Sequence, residues 1–249
     1  MQRGAGLMAG AAMGWALIAG AQEPRPQDPG VVVAATLEQP TDRYTHGVFG
    51  DVFEWGALRI TLNACPGCAT ADLREVVFTL PLSRVFEDIE ARLADLDGDG
   101  RPEVIVVETD ADLGASLAVY DGSGKRAATA FIGQARRWLA PAGVGDFDGD
   151  GRVEVAYIDR PHLAQDLVFV RYEAGQLREL ARHKGFTNHR FGDPMISGGV
   201  RRCGGRDRLI LATGDWTRVV AVGLDGAAGA QDLGPIAERQ DIEAALICP

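Results

Sequence analysis

The sequence predicts an all-β chain, a small β-propeller of about four to five four-stranded blades, and three observations predict it. First, a twelve-residue pattern at Asp95–Val106 recurs at Asp146–Tyr157, an offset of 146 − 95 = 51 residues. A fixed offset marks a repeat architecture in which each unit buries its apolar face against its neighbours. Second, short β-branched and apolar runs follow one another between Gly, Asp-Gly and Gly-Ser-Gly punctuation, the pattern of strands and tight turns. Third, helical periodicity is poor, and only Val85–Leu93 reads as one or two helical turns. Four strands per repeat select a propeller.

Residues 1–21 read as an export signal. Arg3 supplies the positive start, Leu7–Ile18 the apolar stretch and Ala19-Gly20-Ala21 the cleavage site. That stretch is too short for a comfortable transmembrane helix and no later run qualifies. The mature chain is therefore expected to lack a membrane span and to be periplasmic or secreted. Residues 22–30 are Pro-rich and read as a flexible lead-in, with a single propeller domain expected over 31–249.

Strands are expected at Val31–Leu37, Ala57–Leu62, Leu73–Leu80, Arg92–Leu96, Glu103–Thr109, Ser116–Tyr120 and Ala127–Ile132. They continue at Trp138–Gly143, Glu154–Ile158, Leu167–Tyr172, Gln176–Ala181, Arg208–Thr213, Thr217–Val222 and Ala244–Cys248. The clearest blades are 92–132 and 138–186. A third block, Gly199–Gly234, aligns with Gly205–Leu211 over Gly100–Val106. The last strand is expected to pair with an N-terminal one, since propellers leave no long open edge.

A formal charge of −10 argues against nucleic acid as a partner, because no basic run neutralises phosphates. The four cysteines allow three connectivities, of which Cys65–Cys68 as a local clip and Cys203–Cys248 as a C-terminal staple are favoured. Zinc at Cys65-x-x-Cys68 lacks a second CxxC or a histidine pair to complete it.

Each repeated loop carries carboxylates at positions 1, 3 and 5, glycine at 6 and glutamate at 9. Calcium takes six to eight oxygen ligands, and such a loop supplies them from alternate side chains plus one backbone carbonyl. The first set is Asp95, Asp97, Asp99, the Arg101 carbonyl and Glu103; the second is Asp146, Asp148, Asp150, the Arg152 carbonyl and Glu154. An EF-hand is excluded, because position 12 holds Val106 and Tyr157 in place of glutamate and a strand follows in place of a helix.

The stretches ADLDGDGRPEVIVV and GDFDGDGRVEVAYI resemble FG-GAP/VCBS repeats, known from integrin alpha-subunit propellers and many secreted bacterial proteins. The resemblance covers about two blades. It implies Ca2+ held at loop positions 1, 3, 5, 7 (backbone) and 9, in a loop joining the first and second strands of a blade. In the third block Val200, Arg202 and Gly204 replace the aspartates and Arg208 the glutamate, so that loop is expected to be metal-free. Its arginines are expected to neutralise part of the acidic loops when metal is absent.

The face opposite the calcium loops is expected to gather His46, Asp110, Asp112, Arg160, His162, His189, Arg190, Asp193, Asp215 and Trp216. Polar loops carry such residues anyway, and a loop histidine often does no more than satisfy a carbonyl. The functional alternative is a pocket for an unknown protein or glycan ligand. No Gly-x-Ser-x-Gly or other nucleophile signature occurs. The expected function is an exported calcium-binding propeller acting as a non-catalytic binding or scaffolding module. The alternative is a glycan hydrolase or lyase using His162 or His189 as general base beside Asp110 or Asp215.

Overall fold

The computed structural model describes residues 29–50 and 52–248 together with Met1. The expected export signal (Met1 aside) and the lead-in up to residue 28 lie outside the described residues. Three antiparallel sheets follow one another along the chain.

The first sheet holds β1 (Val31–Thr41), β2 (Glu54–Asn63), β3 (Leu73–Thr79), β4 (Arg84–Phe86), β5 (Arg92–Ala94), β6 (Glu103–Asp110), β7 (Gly114–Asp121) and β8 (Gly124–Ala128). Its order is β1-β2-β4-β6-β7-β8, with β3 also on β2 and β5 also on β6. The second sheet is the meander β9 (Leu139–Gly145), β10 (Glu154–Asp159), β11 (Asp166–Glu173) and β12 (Gln176–Lys184). The third holds β13 (Phe186–Thr187), β14 (Gly199–Arg201), β15 (Arg208–Thr213), β16 (Arg218–Val222) and β17 (Gln231–Pro235). The repeat is thus visible in space: β5–β8 and β9–β12 run in the same order.

Alternation along β6 and β7 explains how the sheets stack. Ile105, Val107, Leu117 and Val119 face a core shared with Phe147, Val155, Ile158 and Phe169 of the second repeat and Leu209 and Leu211 of the third sheet. Val104, Val106, Ala118 and Tyr120 face the other way, onto Leu58, Ile60 and Leu62 of β2. Strands buried on both faces read as unbroken apolar runs, as residues 104–107 do. In β15 the same alternation sends Ile210 and Ala212 to a third cluster with Ile242.

Three expectations are corrected. Val85–Leu93 is extended, forming β4 and β5 around residues 87–91, because Val85 and Phe86 pair with Thr109 and Glu108 of β6. Val48 and Phe49, in the connection from β1 to β2, pack into the main core. Ala244–Cys248 is not a strand. Arg239–Ala244 is a short helix, α1, opened by a capping box in which Asp241 Oδ2 accepts from the Glu238 backbone N–H at 2.8 Å. Ile242, Ala245 and Leu246, at helical spacing, cover the outer face of the third sheet. No strand pairing therefore joins the C-terminus to β1–β3 among the described residues.

The third correction concerns the third loop. Arg201 pairs with Arg208, as Ala94 pairs with Glu103 and Gly145 with Glu154. Six residues (202–207) span the turn where the acidic loops use eight (95–102 and 146–153). Val200 therefore lies within a strand, and Arg202 takes the place of the first aspartate.

Cys65 pairs with Cys68 and Cys203 with Cys248, each with Cα atoms 5.4 Å apart. The second bond ties the segment after α1 to the third loop. Among the described residues, no helix is long and apolar enough to cross a membrane.

Candidate functional site

Two kinds of site stand out: the paired acidic loops, and a cavity where loops carrying three histidines meet.

In the first acidic loop, ligand oxygens of Asp95, Asp97 and Asp99 lie within 4.8 Å of one another. Backbone amides hold them there: Gly98 and Gly100 donate to Asp95 at 2.8 and 2.9 Å, and Arg101 donates to Asp99 at 2.8 Å. Gly100 makes the turn at φ 83, where a side chain would strain the backbone. Glu103, at the start of β6, accepts from Leu96 N at 2.8 Å. Burial, with Asp97, Asp99 and Asp95 around it, pushes its carboxyl up to about 7. A cluster made of oxygen donors alone suits a hard divalent cation. The site fits such an ion on these grounds.

The second loop repeats this scaffold, with Asp146 accepting from Gly149 and Gly151 at 2.6 and 2.9 Å and Glu154 from Phe147 at 3.0 Å. Here Asp146, Asp148 and Glu154 converge within 4.8 Å. Unlike the first, it also receives a guanidinium, that of Arg171. Arg101 and Arg152, expected only as backbone ligands, send their side chains elsewhere, to Gly30 O and Glu173. The two loops face a common cleft of about 570 Å3, lined by Asp95, Asp97, Gly151, Tyr172 and Glu173 among others.

Among the described residues, the third-loop arginines pair with no carboxylate of the acidic loops, although Arg206 lies beside Gly149. Arg206 and Arg208 pair with Asp225, Arg202 lies against Asp207, and Arg201 donates to Ala245 O. Asp207 approaches the second loop instead, accepting from Asp146 N at 3.2 Å. The approach requires glycine at 145, where a Cβ would sit 2.5 Å from Asp207 Oδ2.

On the other side of the core, three of the four histidines come together. The inner strand of the third sheet is interrupted between β13 and β14, and this insertion (188–198) carries His189, Arg190, Phe191 and Asp193. It lies against the β1–β2 connection, with Gly192 N donating to Val48 O at 2.8 Å. His162 comes from the β10–β11 turn. His162 Nε2 and His189 Nδ1 are 3.0 Å apart, and His189 Nε2 is 2.9 Å from the Asp193 carbonyl. A carbonyl only accepts, so His189 Nε2 carries the proton, His189 Nδ1 accepts, and His162 Nε2 donates. Burial, then the neighbouring His189 and His46, lower His162 to about 4; burial lowers His189 as well. Both rings are neutral at pH 7.

Trp138 floors this group, stacked on His162 and edge-on to His189, and donates its indole N–H to Glu87 O at 2.9 Å. His46 Nδ1 meets the buried Glu87 carboxyl at 2.7 Å, and burial raises that carboxyl. Above them, a cavity of about 190 Å3 is walled by His46, Trp138, His162, Leu163 and Phe191 and rimmed by Arg136, Arg137 and Arg160.

Of the expected face residues, His46, Arg160 and His162 line the cavity and His189 and Asp193 lie behind it. Arg190 stacks on Trp216 at 4.2 Å. Asp110 instead pairs with Arg84, Asp215 caps its own turn through Thr213 and Thr217, and Asp112 is exposed away from the cavity wall. Sequence reasoning passed over Arg136, Arg137 and Trp138. The Arg136-Arg137-Trp138 run at the start of a repeat was the available signal.

Comparison with known proteins settles one point. The family model described as FG-GAP-like repeat matches residues 95–157. That stretch is similar to an FG-GAP-like repeat. It runs from Asp95 of the first acidic loop through the second loop to Tyr157 on β10, so both acidic loops fall within the FG-GAP-like stretch. No curated protein and no solved structure gives a significant match to the chain.

Proposed function

We propose that the chain is an exported, calcium-stabilised, propeller-like binding module of about four to five blades, with its ligand seated in the histidine-bearing cavity. The observation that carries this is the convergence of loops from three sheets on one small apolar hollow with a cationic rim. Of the three rim arginines Arg160 pairs with Asp159, whereas Arg136 and Arg137 pair with no carboxylate among the described residues, although the chain carries a formal charge of −10. Arginines held apart from an excess of carboxylates complement a ligand that brings its own carboxylate or sulfate. Arg136 and Arg160 also adopt positive φ, 53 and 50, a strain that concentrates at functional positions.

Calcium at the two FG-GAP-like loops is supported by their all-oxygen donor sets. Export is supported by two disulfides and no free cysteine among the described residues. A non-catalytic role is supported by the histidines themselves, since His189 is engaged by both His162 and the Asp193 carbonyl.

The test is an array of acidic glycans and peptides probed with wild type and with Arg136→Ala/Arg137→Ala and His162→Ala. Binding of an anionic ligand, recovered unaltered and lost in the variants, is expected. Binding indifferent to these substitutions would sink the cavity assignment. Cleavage of a glycan that stops in His162→Ala would instead favour the hydrolase or lyase alternative.

A further inference from the structure

The two FG-GAP-like loops are built on one register but differ in a single facing position. Val104 pairs with Tyr120 in the first repeat and Val155 with Val170 in the second. One step along, Glu103 is faced by Asp121 and Glu154 by Arg171. Asp121 lines a hollow with Asp99 and Glu103 and pairs with Arg126 at 3.4 Å, so arginine stands at the rim of the first loop and not within it. Among the described residues, no Lys or Arg pairs with Asp95, Asp97, Asp99 or Glu103.

Arg171, by contrast, is only 7% exposed and fills the second loop. Its Nε donates to Glu154 Oε1 at 2.8 Å, its Nη2 to Asp148 Oδ2 at 3.2 Å, and its Nη1 lies 3.0 Å from Asp150 Oδ2. It thus engages three of the four acidic side chains expected to ligate there. Arginine has five donors, no acceptor and a permanent charge, so it cannot join a coordination shell. A divalent cation on those oxygens must displace it.

We infer that Arg171 is a resident countercharge that competes with divalent cations for the second loop, making the first loop the high-affinity site. The inference rests on the reading of these loops as calcium sites. At low calcium Arg171 compensates the carboxylates of the second loop, whereas those of the first are held by backbone amides alone. Displacement breaks several charge-assisted hydrogen bonds of a buried side chain, so the second loop should bind at least roughly tenfold more weakly.

The experiment is isothermal titration of chelator-stripped mature protein with CaCl2, with melting curves alongside. Asp97→Ala and Asp148→Ala assign the heats to the first and second loops. Wild type should show two affinity classes, the weaker removed by Asp148→Ala. Arg171→Gln should strengthen the weaker class at least roughly tenfold, and Asp121→Arg should weaken the stronger class by a similar factor. Equal classes in wild type, or a weaker class removed by Asp97→Ala, overturn the inference. If Arg171→Gln does not fold, unchanged affinity of the first loop in Asp121→Arg overturns it alone. No heat and no melting shift in any variant overturns the calcium reading itself, and this inference with it.

Discussion

His162 donates its Nε2 proton to His189 Nδ1 across 3.0 Å, and the direction is set by a third partner, the Asp193 carbonyl behind His189. Protonating His189 at Nδ1 would bring two N–H groups face to face. Charge on His189 is therefore opposed by geometry as well as by burial, whereas charge on His162, whose Nε2–H already donates, is opposed by burial and by the neighbouring His189 and His46.

This relationship predicts an acid-sensitive contact. In a histidine C–H titration by NMR, His162 should titrate near 4 and His189 below the ordinary value of 6.5. A histidine whose folded pKa is depressed is stabilising above its unfolded pKa, and that stability is lost as pH falls. Between about pH 6.5 and 4, wild type should lose roughly 1–3 kcal/mol that a His162→Phe variant does not. A His162 titrating at 6.5 or above would contradict the assignment.

Calcium should raise the melting temperature, because an ion that binds only folded loops stabilises by mass action. With affinities on the order of 10⁻⁴ M, as in extracellular modules, calcium at 100 times Kd contributes about 2.7 kcal/mol. The double variant Asp97→Ala/Asp148→Ala should show no calcium-dependent shift. A shift of wild-type size in that variant would remove both loops from consideration.

The two disulfides should differ in weight. Cys203–Cys248 closes a separation of 45 residues, whereas Cys65–Cys68 closes 3. On the chain-entropy account, replacing the first pair by serine should cost roughly 4 kcal/mol in urea unfolding, and replacing the second distinctly less. Equal costs would mean that Cys203–Cys248 restrains the unfolded chain little.

The C-terminal helix should act as a cap on the third sheet. Ile242, 1% exposed, packs on Ile210, Ala212, Val219 and Ala221. Ile242→Ala should cost roughly 2–4 kcal/mol and expose the outer face of that sheet to a hydrophobic dye. Asp241→Ala, which removes one side of the capping box, should cost distinctly less than Ile242→Ala. An Ile242→Ala variant as stable as wild type would show that the sheet needs no cover.

Much of the fold was legible because its signals are local. The strands of the two clearest repeats were predicted to within a few residues, since apolar runs between turn residues need no partner to be recognised. The short pieces β4, β13 and β14 were not, because three residues such as Arg84–Phe86 extend only by pairing with β6. The helix α1 carried a readable signal, Glu238 and Asp241 three apart ahead of Ile242. It was obscured by the apolar Ala244–Cys248, which reads as a strand when the sheet beneath it is unknown.

What the sequence by itself determined is the pair of acidic loops. Asp95 to Glu103 and Asp146 to Glu154 each contain their own carboxylates, turn glycines and amide donors, so spacing alone specifies their chemistry. Only the tertiary structure decided that the loops are unequal and that a cavity exists. Arg171 reaches Glu154 through cross-strand register, 17 residues away in the chain, and His46, His162 and His189 meet because three sheets stack. Contacts between distant segments are set by how apolar faces pack, and no local pattern encodes which loops that packing brings together.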